Sequence, residues 1–557
     1  MNTVRSDVKK RRRLNFKFIL RKIGKMGSEK RRDGLKEYCR GISRILFGLV
    51  EVFCHWFFSL IYGNNKESMP PIKDLLLLES ASTVALKIRN KKLTSEQVLD
   101  SYIERIKEVN PLLNCVVANR FDEARKEARA ADVLINSGTI PEEVLAKEKP
   151  FLGVPFTTKD CISVKGLIHS AGLACRKNII AEEDATVIAR LKDVGAIVIG
   201  LTNVSELCMW WESANKVHGR TRNPYDTSRI VGGSSGGEGC AQACAASAFG
   251  IGSDIGGSIR MPAYFNGVFG HKPSSLTVPN HGQYPEPATD EQNLFLGLGP
   301  ICRRAEDLLP LLKVISNNNP VLRLDESVDI KKIRFFYQES DGGSDFISPV
   351  SPDIKELFVK ISKHLDKAYG IKTSKVSLKQ FILSAPMWFA AMKSPSGPTF
   401  PNQLTNLKGC INPYWEMLKW IFRLSDHTFI ALATCLVEKG GCKYGDEKHQ
   451  FLLKERDALR LEVIDLLGDD GVLLYPTHPT SAPYHNEPLV KPFNFSYTGL
   501  VNVLKLPATA VPMGLDRHGL PIGIQVIAKH GNDRLCLAVA RELEKGFGGW
   551  VPPEVDA

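Results

Sequence analysis

Hydrophobic and polar positions divide this chain sharply near its start. Residues 1–44 are rich in lysine and arginine, whereas Ile45–Tyr62 (ILFGLVEVFCHWFFSLIY) is an apolar run of 18 residues interrupted only by Glu51 and His55. From Pro70-Pro71 onward the pattern changes to alternating helical and strand spacings. Thr94 with Gln97 has the form of a capping box. Val98, Leu99, Tyr102, Ile103, Ile106 and Val109 then fall on one helical stripe, which Asn110-Pro111 is predicted to end. A second helix is predicted from about Phe121 to Ile135. A third around Ala185–Val194 leads into Ala196-Ile197-Val198-Ile199, a short apolar run typical of a buried strand. Further strands are predicted over Ile333–Tyr337 and Gly471–Tyr475. Helices and strands in alternation imply an α/β core, and no internal repeat is evident.

One later segment has a different texture. Between Pro401 and Lys439, a short helical stretch crowds together Tyr414, Trp415, Met417, Leu418, Trp420, Ile421, Phe422 and Leu424. Such a stripe is either a core helix or a hydrophobic cap that lines a channel or touches a bilayer.

Charge sharpens the picture of the N-terminus. Residues 1–44 carry 16 of the 73 Lys/Arg and 4 of the 61 Asp/Glu, which accounts for the entire net charge of +12 and leaves the remainder balanced. A balanced body argues against nucleic-acid binding. The cluster Lys9-Lys10-Arg11-Arg12-Arg13 alone fits a nuclear signal, a nucleic-acid patch or a membrane-surface arm. The apolar run behind it favours a membrane. That run is long enough to span one, although Glu51 near its centre is costly there. A spanning anchor, an interfacial helix and a core helix all stay open on this evidence. If the run spans, the basic tail stays cytosolic and the rest is lumenal; if it lies in the interface, the rest stays cytosolic. A secretory signal would have a shorter basic region and a small-residue cleavage site.

The 557 residues exceed a usual single domain. The 13 cysteines are scattered without a disulfide framework, which fits a reducing compartment. Cys240 and Cys244 lie four apart, but nothing nearby in sequence completes a metal site. No metal and no cofactor are therefore expected.

The stretch from Gly232 to Arg260, GGSSGGEGCAQACAASAFGIGSDIGGSIR, carries the candidate chemistry. It holds two glycine-rich turns, each with serine, joined by mostly small residues. Glycine permits close backbone approach, and serine supplies a hydroxyl for nucleophilic attack or proton relay. A P-loop would need Lys-Ser/Thr after its last glycine, but Glu238 follows Gly237. A dinucleotide fingerprint fails on the spacing of Gly250, Gly252 and Gly256. A nucleophile elbow centred on Ser235 fits Gly233-Ser234-Ser235-Gly236-Gly237, with Asp469 and His478 as candidate partners. A flexible linker would be more polar between its glycines.

These turns resemble the signature of the amidase signature family. Gly153-Val154-Pro155-Phe156-Thr157-Thr158-Lys159-Asp160 is similar to the strand that presents that family's lysine, and Leu520-Pro521-Ile522-Gly523-Ile524-Gln525 to its C-terminal strand. The resemblance runs from about Pro71 to Pro552. It implies one amidase catalytic domain over 71–552, behind a basic tail (1–44) and a hydrophobic membrane anchor (45–62). Cys208-Met209-Trp210-Trp211-Glu212, Asn223-Pro224-Tyr225-Asp226, Phe269-Gly270-His271-Lys272-Pro273 and Phe547-Gly548-Gly549-Trp550 look most like the type 2 fatty-acid amide hydrolases. The implied fold is a large mixed twisted β-sheet covered by helices on both sides.

The resemblance also implies a Ser-Ser-Lys triad. Ser258 is the expected nucleophile, Ser234 the bridging serine and Lys159 the base. The backbone N–H groups of Ile255, Gly256, Gly257 and Ser258 are expected to form the oxyanion hole. Ser235, Asp254 and Arg260 would support the turn, while Asp160, Cys161, His271 and His478 are expected to be structural. A lysine acts as base only when neutral, and its ordinary pKa of ~10.4 falls on desolvation or beside positive charge. The expected activity is hydrolysis of fatty-acid amides at a membrane. A lipid amide is then the partner and nucleic acid is not, and a homodimer is compatible with the chain. Two rivals stay open: a glutaminase-type amidase subunit of an amidotransferase, and a non-catalytic amidase-like membrane receptor.

Overall fold

A computed structural model describes residues 28–553 apart from Ser396 and Gly441, with side chains described from Gly41 onward except at Asn65 and Lys439. The basic cluster Lys9–Arg13 lies outside the described residues. The strands are β1 (Val116–Asn119), β2 (Pro155–Lys159), β3 (Ile197–Thr202), β4 (Ala214–Asn215), β5 (Gly219–Arg220), β6 (Phe249–Asp254), β7 (Phe269–Lys272), β8 (Gly297–Cys302), β9 (Arg334–Tyr337), β10 (Ser374–Lys375), β11 (Gly471–Pro476), β12 (Ala508–Leu515) and β13 (Pro521–Ala528). Eleven of them form one mixed sheet in the order β1-β3-β2-β6-β8-β7-β12-β13-β11-β9-β10, while β4 and β5 make a separate hairpin. Strand β2 runs parallel to both β3 and β6, and the centre from β6 to β11 is antiparallel.

Every residue of β2, β3, β6, β8, β11 and β13 is buried. Successive strand residues point to opposite faces, so burial of both parities means that both faces of the sheet are covered. Helices Arg260–Phe265 and Asp533–Phe547 both pack on β12 and β13. The α/β architecture expected from the sequence is thus present, with β3, β9 and β11 overlapping their predicted spans.

The capping box is formed: the Thr94 hydroxyl accepts from Gln97 N at 3.1 Å, and Thr94 N donates to Gln97 Oε1 at 3.0 Å. The helix does not stop at Asn110-Pro111 as predicted. It runs from Ser95 to Leu113 and ends at Asn114, which turns left-handed at φ 52°. Proline's fixed φ suits a helix, and one proline in the last turn forfeits only a single N–H bond. The Asn110 side chain then accepts from Cys115 N and Val116 N, which ties the helix end to the start of β1.

The N-terminal helix spans Ser28–Tyr62 and so begins well before the apolar run. Within the apolar run, Glu51, His55 and Tyr62 face the domain. Glu51 is buried, accepts from the Ser348 hydroxyl and lies 3.9 Å from Lys491 Nζ. His55 pairs with the buried Glu487 at 3.1 Å, and the Tyr62 hydroxyl accepts from Asn486. Leu46, Leu49, Phe53, Trp56 and Leu60 remain exposed on the outside.

Replacing Thr94 by alanine removes the hydroxyl that accepts from Gln97 N, leaves the backbone half of the box in place, and should cost about 1 kcal/mol. Hydrogen exchange followed by mass spectrometry should show faster exchange confined to the first turn, residues 95–98.

Candidate active site

The sheet register builds the site. Strands β2 and β6 are parallel neighbours, with Thr158 opposite Ile251, so Lys159 at the end of β2 comes beside Ser253 near the end of β6. Lys159 is fully buried, and its Nζ donates to Ser234 Oγ at 2.7 Å and to Ser253 Oγ at 2.9 Å. Ser234 sits in the first glycine-rich turn, after a cis Gly233–Ser234 peptide. The Ser213 hydroxyl donates to Gly232 O at 2.9 Å and accepts from Gly236 N at 3.0 Å, which clamps that turn from behind.

The two serine turns are joined directly: Ser235 N donates to Ser258 O at 3.2 Å. Ser234, Ser253 and Ser258 all line one cavity of about 810 Å³. Among these serines, Ser258 is the most accessible, at 9 % exposure against 1 % for Ser234 and 3 % for Ser253.

Asp254 shapes the second turn. Its carboxylate accepts from Gly257 N at 2.7 Å and Ile259 N at 3.1 Å, and pairs with Arg260 at 3.0 and 3.1 Å. Arg260 also donates to Gln525 Oε1, Thr498 O and Asn502 Oδ1 at 2.8, 3.0 and 2.6 Å. Burial alone would raise the Asp254 pKa, but the Arg260 guanidinium outweighs it and holds the carboxyl down at about 2.

The expected oxyanion hole needs one amendment. The Gly257 N–H is taken by Asp254, so it does not point free into a hole. Among the described residues, no hydrogen bond occupies the N–H groups of Ile255, Gly256 and Ser258. Two side chains fix the adjoining peptides: Trp388 Nε1 donates to Ile255 O at 3.0 Å, and Thr498 Oγ1 to Gly256 O at 2.8 Å. In a planar trans peptide the N–H points opposite to its C=O, so pinning Ile255 O also aims Gly256 N–H. Gly257 has φ +121°, and a side chain there would collide with Thr498.

The elbow arrangement at Ser235 is not assembled. Ser235 is fully buried, and its hydroxyl donates to Ser253 O at 3.3 Å. His478 is enclosed by Trp211 and Phe265, and burial pushes its pKa down to about 3. Asp469 lies at the surface, paired with Lys529 at 2.9 Å. His271 bonds to Thr509 and Asp533, as a structural histidine does.

Sequence reasoning missed Ser253, Trp388, Thr498 and Asn502. Ser253 stands only one residue before Asp254 in the signature, but its link to Lys159 depends on strand register. Cys240 and Cys244 also gain a partner: Cys115 joins them, with all three thiols buried and within 4.8 Å of one another. Glu238, beside Lys159, bonds to Thr157 and Thr202, and burial raises its pKa to about 8, so it is largely protonated at neutral pH.

The aromatic stretch near 414–424 is not a core helix. In the helix Pro413–Ile421 only Pro413 is buried, and Tyr414, Trp415, Leu418, Ile421, Phe422 and Leu424 are exposed. The cavity is lined instead by the flanks of this segment, including Phe400, Thr434 and Val437, together with Met209, Phe389 and Phe493.

A buried lysine and paired serine turns on a mixed α/β sheet define an amidase-type hydrolase site. The chain belongs to the amidase signature family: the Amidase family model matches residues 97–537. It is 48 % identical over 505 residues to human (Homo sapiens) fatty-acid amide hydrolase 2, covering 89 % of this chain and 94 % of that one. It is 44 % identical over 527 residues to fatty-acid amide hydrolase 2-A of Danio rerio, covering 93 % and 98 %. A solved fatty acid amide hydrolase superposes with a TM-score of 0.68 at 22 % identity, covering 87 % of this chain and 88 % of that one. The protein is an amide hydrolase.

Asp254 provides a test of how the turn is held. Its folded carboxyl titrates at about 2, below the ~3.9 of a free aspartate. Its ion pair therefore stabilises the fold above that range, and the contribution is lost as pH falls from about 4 to about 2. Asp254→Asn leaves Arg260 buried without its counter-charge and should cost about 3–5 kcal/mol. Melting temperatures measured across this range should be lower for the variant at neutral pH and should converge with wild type in acid.

Proposed function

We propose that the protein cleaves the amide bond of fatty-acid amides through an acyl-enzyme on Ser258. The observation that carries this reading is the Lys159–Ser234 hydrogen bond of 2.7 Å in a turn tied by backbone to Ser258. Ser258 Oγ attacks the amide carbonyl and its proton passes to Ser234, whose own proton passes to neutral Lys159. The oxyanion that forms is held by the N–H groups of Ile255, Gly256 and Ser258, each such donor typically worth about 3 kcal/mol. The relay then runs backward to protonate the leaving nitrogen, because an amide anion is too basic to depart. Water attacks the acyl-enzyme by the same route and releases the fatty acid. Esters of similar shape should react by the same chemistry.

The apolar cavity walls support a long acyl chain, as does the likeness to a relative named fatty-acid amide hydrolase 2. They weigh against a water-soluble glutamine-type substrate. The bonded Lys159 and Ser234 weigh against a non-catalytic receptor.

The N-terminal segment is read as monotopic. Gly41–Tyr62 is long and apolar enough to cross a membrane. Yet Phe47, Glu51, His55 and Tyr62, spaced along one face, all contact the catalytic body. A helix held along its length on the domain lies flat in the interface with its outer face in lipid, and the exposed aromatic stretch around Trp415 and Phe422 adds to that contact.

A fluorophosphonate probe should label wild type and Ser235→Ala but not Ser258→Ala, in detergent. Labelling lost only in Ser235→Ala would refute the triad assignment. Glu51→Leu makes the helix more apolar but removes its bond to Ser348, and protease accessibility of the helix should rise. Unchanged accessibility with firmer membrane retention would favour a spanning anchor.

A further inference from the structure

The loop that receives the N-terminal helix is also a wall of the cavity. Asp345, Phe346 and Ile347 line the same space as Ser258. The helix meets this loop over successive turns: Arg44 lies 4.0 Å from Asp345, the Phe47 ring packs edge-on against Phe346 at 5.8 Å, and Glu51 accepts from Ser348.

The loop is held in an unusual shape. Gly342 and Gly343 have φ of +89°, and Phe346 has φ +61°, which is rare for a bulky side chain. Asp341 accepts from Gly343 N and Ser344 N, Ser344 Oγ donates to Ile382 O, and Ser348 N donates to Asn494. These bonds fix the loop on both sides of Phe346, whereas the Phe346 side chain itself stays 53 % exposed and touches the helix by its ring. On the far side of the helix, Leu49, Phe53 and Trp56 face outward.

We propose that the seam between Phe47 and Phe346 is the door through which an acyl chain passes from a lipid surface to the cavity of Ser258. The N-terminal helix is then part of the substrate path as well as an anchor. This inference rests on the fatty-acyl reading above. The rival entrance is under the exposed Pro413–Ile421 segment, on the side of the cavity lined by Phe400 and Val437.

The two entrances separate by placing a charge at each. A carboxylate in an apolar passage opposes the entry of an alkyl chain and leaves a small soluble substrate unaffected. The full-length protein in detergent micelles is compared as wild type, Phe346→Asp and Phe422→Asp, on decanoyl and butyryl p-nitroanilides. We expect Phe346→Asp to lower kcat/KM for the decanoyl substrate about tenfold more than for the butyryl substrate, with Phe422→Asp near wild type on both. Equal losses on the two substrates, no loss on either, or a chain-selective loss in Phe422→Asp would each overturn the door at Phe346. A wild type that cleaves neither anilide would instead overturn the fatty-acyl reading, and the door with it.

Discussion

The carboxylate of Asp254 gathers three backbone amides, the Arg260 guanidinium and the Asn502 side chain into one buried cluster. The position of Ser258 depends on this cluster, because Ser258 lies between the residues whose amides it holds. The ion pair is fully buried on both sides. Such pairs gain little over a well-packed apolar substitute, but losing one partner is costly. Their physical value here is direction. A carboxylate that accepts Gly257 N–H leaves the Ile255, Gly256 and Ser258 amides to point elsewhere, and Trp388 and Thr498 fix the peptides on either side.

Arg260 carries the constraint across the sheet. Its bonds to Thr498, Asn502 and Gln525 join the second serine turn to the helix Ser496–Val503 and to β13. On the other side, Ser235 joins both turns to β6, and Lys159 reaches Ser234 from β2. The reactive groups thus come from three places in the chain but share one rigid frame. Lys159 meets hydroxyls, and the buried Glu238 carboxyl, bonded to Thr157 and Thr202, is held largely neutral. That arrangement suits a relay of protons between hydroxyls better than a fixed ion pair would.

Much of this was legible in the sequence wherever the signal is local. The two serine turns, the lysine strand and the capping box at Thr94 declare themselves through residues close together in the chain. Ser253, Asn502 and Trp388 could not be found that way, since their roles arise from register and from packing between elements far apart in sequence. The helix past Pro111 was misjudged because proline's cost depends on where in the helix it falls. The Gly257 amide was assigned by position in a glycine run, yet its direction is set by a carboxylate three residues away. Ser235 and Ser234 are adjacent, chemically identical and equally buried, and only their partners separate a structural serine from one in contact with Lys159.

Glu51 illustrates how one residue changes meaning between sequence and structure. In an apolar run, a glutamate is a penalty against crossing a bilayer. In the fold, the same side chain is a polar contact that holds the helix against the catalytic body, and Phe47 lies one turn away on the same face. The helix is therefore amphipathic in a restricted sense: a narrow polar and aromatic seam faces protein, and a broad apolar face remains outside. A surface of that kind is stable only if something apolar covers it. Together with the exposed aromatic stretch beyond Pro413, it gives the molecule two apolar surfaces and one apolar cavity between its serines and the outside. The fatty-acid amide proposed above fits such a layout, with its chain along the cavity walls and its carbonyl at the hydroxyl end. On the acyl-enzyme mechanism proposed above, water is also needed there to release the acyl group, so the polar residues clustered around Ser258 must keep that end of the cavity wet while the walls stay dry.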